Sequence, residues 1–109
     1  MKLINYGDTD WLIGDDAASL LLEYSILMAR GGSADTVDMD VLSPEGDDAT
    51  VSFLLGPATM MTARSVPSEL PEPDNAATIA EVRGRIESIV SPPVVLPSDL
   101  SDVIDDYEF

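Results

Sequence analysis

Histidine and cysteine are both absent from this chain of 109 residues. Without histidine there is no Ser-His-Asp arrangement, and the commonest general base and metal ligand is missing. Without cysteine there is no disulfide, no thiol nucleophile and no thiolate metal site. Lysine occurs only as Lys2, so a serine–lysine dyad would have to use the second residue of the chain. Cations as a class are scarce: Lys and Arg together number 5 against 21 Asp and Glu, a formal net charge of −16. That balance argues against nucleic acid, because phosphate contacts need Lys and Arg. It disfavours anionic membranes for the same reason. No G-x-G-x-x-G or P-loop pattern is present. The pair Gly31-Gly32 follows a helical segment rather than opening one, which is the wrong polarity for cradling phosphate. Long apolar runs are missing too. Met1-Lys2 leads into a short mixed segment with no signal-peptide core, and nothing approaches the roughly 20 apolar residues of a membrane span. A cytoplasmic location is the resulting expectation.

What the chain does have is apolar periodicity. Hydrophobic residues make up 45% of it, a globular rather than a disordered composition, and its length suits one core. The stretch Asp15 to Gly32 dominates. Ala17, Leu20, Leu21, Tyr24, Leu27 and Met28 follow the spacing of one helical face, widened by Ala18, Leu22, Ile26 and Ala29. Asp15 or Asp16 is placed to cap the helix N-terminus, Gly31 to close its C-terminus in the left-handed conformation. Burying such a stripe is worth about 1.5–3 kcal/mol per large side chain, and ordering the backbone costs about 1–2 kcal/mol per residue. The helix therefore needs a sheet, a second helix or another subunit against it. Most of the stripe reads as core, with the Leu22/Ile26 flank as a possible contact between copies.

Upstream, residues 2–6 and 10–13 read as two strands around the turn Gly7-Asp8-Thr9, with Trp11 as a core or edge anchor. Downstream the period changes from 3.6 to 2. Val37, Met39 and Val41 alternate with Thr36, Asp38 and Asp40; Val51, Phe53 and Leu55 alternate with Thr50, Ser52 and Leu54. The turn 43–48, SPEGDD, joins them into a hairpin whose wet face carries Asp38, Asp40, Thr50 and Ser52. Residues 58–66 fit a third strand after Gly56-Pro57, with Met60 and Met61 facing opposite sides. The segment 67–75, PSELPEPDN, holds three prolines and three acids and reads as an extended loop. Asn75 or Asp74 then caps a second helix, 76–90, with Ile79, Val82, Ile86, Ile89 and Val90 as its apolar stripe. Glu81–Arg85 and Arg83–Glu87 are placed to pair, and Gly84 to let a neighbour approach. The expectation is a single α+β domain over 1–93, order β-β-α-β-β-β-α, with a mainly antiparallel sheet and the helices packed on it. An acidic amphipathic tail, 94–109, follows.

Carboxylates are the remaining chemistry. Acid pairs hydrolyse glycosides and coordinate Ca²⁺ or Mg²⁺. The clusters Asp8/Asp10/Asp15/Asp16 and Glu45/Asp47/Asp48 are candidates, but neither fits the D-x-[DN]-x-[DN]-G loop: Leu12 stands where a third ligand belongs. Solvated turns and helix starts account for the same residues. No metal ligand set, cofactor or catalytic residue is therefore assigned. The expectation is a non-enzymatic acidic protein that binds a basic protein partner, in an inhibitor, immunity, antitoxin-like or adaptor role. Its expected contacts are Asp38, Asp40, Glu45, Asp47 and Asp48 on the hairpin, and Leu100, Val103, Ile104, Tyr107 and Phe109 on the tail. The alternatives are a structural homo-oligomer or, further off, a carboxylate-based divalent-metal binder.

Overall fold

The computed structural model describes residues 1–90, and the tail expected over 94–109 lies outside them. The described elements are β1 (Lys2–Tyr6), β2 (Thr9–Ile13), α1 (Asp15–Arg30), β3 (Asp35–Leu42), β4 (Asp48–Leu55), β5 (Met61–Ser65) and α2 (Ala76–Val90). Both the α+β class and the element order agree with the sequence reading. Residues around 58–66 do form a strand, beginning at Met61.

The five strands make one antiparallel sheet in the order β4-β3-β2-β1-β5. β1 and β2 are joined by a two-residue turn that closes on the pair Tyr6↔Thr9. Gly7, at φ +62°, supplies the positive dihedral such a turn asks of its first residue. β3 and β4 pair along their whole length, from Asp35↔Leu55 to Leu42↔Asp48. Between these hairpins the sheet is held at one register point, Leu12↔Leu42. The reason is chain direction: β2 ends at Ile13 and turns into α1, so β3 runs on past it with no strand on that side.

The sheet is coiled, not flat. At about 4.8 Å per strand step, β1 and β4 would lie roughly 14 Å apart in a flat sheet. Yet the Tyr6 ring meets Phe53 edge-on at 5.2 Å, and its hydroxyl bonds the main chain of Leu54. Ile4, Ile13, Met39, Val41, Phe53 and Leu55 are sealed inside this curve. α1 fills it with Ala17, Ala18, Leu20, Leu21, Tyr24 and Met28. The Leu22/Ile26 flank stays out of the core, with Ile26 52% exposed. Trp11 is half-buried against the core, as an edge anchor should be.

Both ends of α1 differ in detail from expectation. Gly14 is the N-cap and makes no side-chain cap bond; Asp15 and Asp16 fall in the first turn. Asp15 instead pairs with the N-terminal ammonium of Met1 at 3.2 Å. At the other end Gly31 is right-handed (φ −85°) and Gly32 takes φ +64°. The Ser33 N–H then reaches Met28 O, and the Gly32 N–H reaches Ala29 O. That is a Schellman closure, which places the left-handed residue one position later than the helix length implied.

α2 buries less. Val82 and Ile86 are buried and Ile79 partly so, while Ile89 and Val90 are 44% and 58% exposed. The expected five-residue stripe is thus cut to its first three members, because α2 runs along the edge of β3 and its last turn passes the end of that strand. Glu81–Arg85 forms at 2.5 Å. Among the described residues Arg83–Glu87 makes no ion pair. Gly84 faces open space, so no neighbour's approach explains it.

Candidate functional site

Alternation along β3 and β4 sends Val37, Met39, Val41, Phe53 and Leu55 inward and their neighbours outward. Asp38 and Asp40 therefore stand on the exposed face. Ser52 and Thr50 sit directly opposite them in the register. The Ser52 hydroxyl donates to Asp38 Oδ1, and the Thr50 hydroxyl donates to Asp40 Oδ1 at 2.9 Å. Both hydroxyls tie the carboxylates across to β4 and leave their charge in place.

The turn that follows is tied by its own main chain. Ser43 N–H donates to Asp47 O at 2.8 Å, and Gly46, at φ +95°, donates back to Ser43 O at 2.9 Å. Ser43 Oγ accepts from the Asp47 N–H. This tight loop presents Glu45, Asp47 and Asp48 to solvent. Asp48 lies with Asp40 around a shallow hollow of about 410 Å³, which Pro73 and Asp74 complete from the loop before α2. The structure thus brings Asp40 and Asp48 together, keeps Asp38 on the same face, and puts Glu45 and Asp47 at the tip. Asp74 joins them from a loop whose position the sequence did not disclose. The tail residues Leu100, Val103, Ile104, Tyr107 and Phe109 lie outside the described residues.

Asp74 is positioned by its neighbour. Asn75 is the one buried polar residue among those described, at 6% exposure. The sequence offered Asn75 or Asp74 as the cap of α2, and the Asn75 side chain is not the one that serves. It accepts from the Asp40 N–H and donates to the Asp40 C=O, both at 2.8 Å. The carboxamide replaces a peptide unit on the stretch of β3 that β2 leaves unpaired. Capping passes to Asp74, whose Oδ1 accepts from the Ala76 N–H at 3.0 Å. Asparagine before a helix looks like a cap in any sequence, so nothing along the chain marked this second role.

A polar cluster closes the far end of the same open edge. The Tyr24 hydroxyl donates to Asp35 Oδ2 at 2.5 Å, and Arg85 meets the same carboxylate at 2.9 Å. Arg85 also reaches Glu81 and Thr36 O. The bond from Tyr24 holds the Asp35 carboxyl below its usual value, helped by the Thr36 N–H and Arg85. Burial raises the Tyr24 phenol, and the bond to Glu81 leads the causes that raise Arg85. This cluster joins α1, β3 and α2. Its charges are spent on one another, which makes it a tie between elements.

The hairpin acids are unlike it. The ion pairs among the described residues are Met1–Asp15, Arg85–Asp35 and Arg85–Glu81, and none involves Asp38, Asp40, Glu45, Asp47, Asp48 or Asp74. Among the described residues no three carboxylates converge as a metal-ion site. No described helix is long and apolar enough to cross a membrane. Comparison with protein-family models, curated proteins and solved structures finds no match to this chain.

Proposed function

We propose that this chain is a non-enzymatic interaction protein that binds a basic protein partner through the exposed face and tip of the β3–β4 hairpin. The observation that carries the reading is the absence of countercharge there. Asp38, Asp40, Glu45, Asp47, Asp48 and Asp74 are exposed and unpaired by any cation among the described residues. Hydrogen bonds from Ser52 and Thr50 pre-order two of them, so little side-chain freedom is lost on binding. A partner presenting Lys and Arg would gain fast, steered association and supply the missing charge. Such a role fits an inhibitor, an immunity or antitoxin-like protein, or an adaptor.

The test is capture from the native host at low salt, followed by elution at high salt. The Asp38→Asn/Asp40→Asn variant, which keeps both hydroxyl acceptors and removes both charges, is run in parallel. A basic protein held by the wild type, released by salt and lost by the variant is the expected result. Recovery of no salt-sensitive partner, or equal retention by the variant, overturns the reading.

A further inference from the structure

An open sheet has edges, and an unpaired edge invites another strand. In this fold side chains close part of two of the exposed stretches. On β3 the Asn75 carboxamide occupies the main chain of Asp40, and Arg85 reaches Thr36 O. On β4 the Tyr6 hydroxyl donates to Leu54 O and accepts from Leu54 N–H. Among the described residues nothing closes the outer edge of β5.

The direction of the free groups on β5 follows from one bond. The Val66 N–H donates to Met1 O at 3.2 Å, in register with the β1–β5 ladder. Antiparallel pairs alternate between bonded and non-bonded. Arg64 and Thr62 therefore bond inward to Leu3 and Asn5. Met61, Ala63 and Ser65 turn their N–H and C=O groups outward.

Charge singles out the same strand. Between Asp48 and Glu69 the chain has no acid, and Arg64 is the only charged residue of that stretch. Lys2 lies alongside, its Nζ bonded to Ser65 Oγ at 2.6 Å. In a molecule of net charge −16, this is the edge where a second copy meets least repulsion.

We propose that two copies of this chain pair through β5, antiparallel about a two-fold axis at Ala63. Ala63 then faces its own equivalent, and Met61 faces Ser65 of the second copy. All three outward residues on each strand are used: three N–H donors from each copy, six hydrogen bonds in all. On the solvent face Arg64 lies opposite Thr62 of the second copy. Thr62 borders a hollow whose one charged lining residue is Asp8, so the arginine arrives beside an acid rather than beside its own kind. Half-buried Met61 and Ala63 gain cover on the inner face. The acidic hairpin, at the opposite edge of the sheet, stays free.

Sedimentation of the full chain over a range of concentrations tests this. The wild type is expected at the mass of two chains. Ala63→Pro removes an outward N–H and spares the ladder to β1, so it should fall twofold in mass with its far-UV circular dichroism unchanged. Arg64→Glu, an exposed change that sets an acid beside Asp8 of the second copy, should do the same. A monomeric wild type overturns the proposal, as does a folded Ala63→Pro variant that remains dimeric. If Ala63→Pro does not fold, Arg64→Glu decides by the same criterion: dimeric, it overturns the proposal; monomeric, it supports it.

Discussion

At the scale of single residues, Asn75 and Tyr6 solve one problem with different chemistry. A strand without a neighbour leaves N–H and C=O groups that must be bonded to something. Asn75 offers one donor and one acceptor in the geometry of a peptide, and Tyr6 offers a hydroxyl that does both. The Asn75 site is buried, so its loss is felt more. Asn75→Ala strands two main-chain groups and should cost about 2–4 kcal/mol, taking roughly 1–2 for each. Urea unfolding measures it, and a cost below about 0.5 kcal/mol would show that water replaces the amide without penalty. Asp35 makes a different prediction. Its folded carboxyl is shifted downward, chiefly by the Tyr24 hydroxyl, so it contributes stability above its unfolded value and loses it as pH falls through the folded one. The gap in melting temperature between wild type and Asp35→Asn should be full at neutral pH and close below about pH 4. A gap that is unchanged in acid would remove the carboxylate from the account.

Among the elements, α2 shows where pattern and packing part. Its apolar spacing is regular, yet only Val82 and Ile86 are buried, because the helix lies along an edge and not across a face. Gly84 follows from the same placement. It sits on the exposed side, and a Cβ there meets nothing within 4 Å. Gly84→Ala should therefore stabilise the protein by about 0.5–1 kcal/mol, the helix-propensity difference, and a thermal melt checks it. Destabilisation would remove helix propensity as the account of this position. The helix itself, the two hairpins and their inward residues were legible because periods of 3.6 and 2 survive in the sequence. The left-handed residue of α1 was misplaced by one because both candidates are glycine, and only the bonds from Gly32 and Ser33 to the last turn tell them apart.

For the whole molecule, charge is distributed and so are its consequences. The proposed partner site is an acidic edge with no countercharge, and the proposed self-association site is a strand that carries no acid of its own. They should answer salt in opposite senses. Binding of a basic partner weakens as ionic strength rises, because its attraction is screened. Pairing of two chains of like net charge strengthens, because their mutual repulsion is screened. Titrating sodium chloride in a binding assay and in sedimentation runs reads both slopes. Slopes of the same sign would mean that one of the two surfaces is misassigned.

The sequence by itself determined the element order, the buried side of each strand and the main helix, since each is a local pattern imposed by side-chain alternation. It also determined that Asp38 and Asp40 face solvent, which follows from their place between Val37, Met39 and Val41. Only the tertiary structure decided that β3 outruns β2, that Asn75 fills the gap, and that Asp74 joins the hairpin acids. Those facts depend on residues far apart in the chain, such as Asp40 and Asn75, which are 35 positions apart. No period in a chain records which distant segment will pass an unpaired edge; the coiling of the sheet sets that, and the coil exists only once the core has closed.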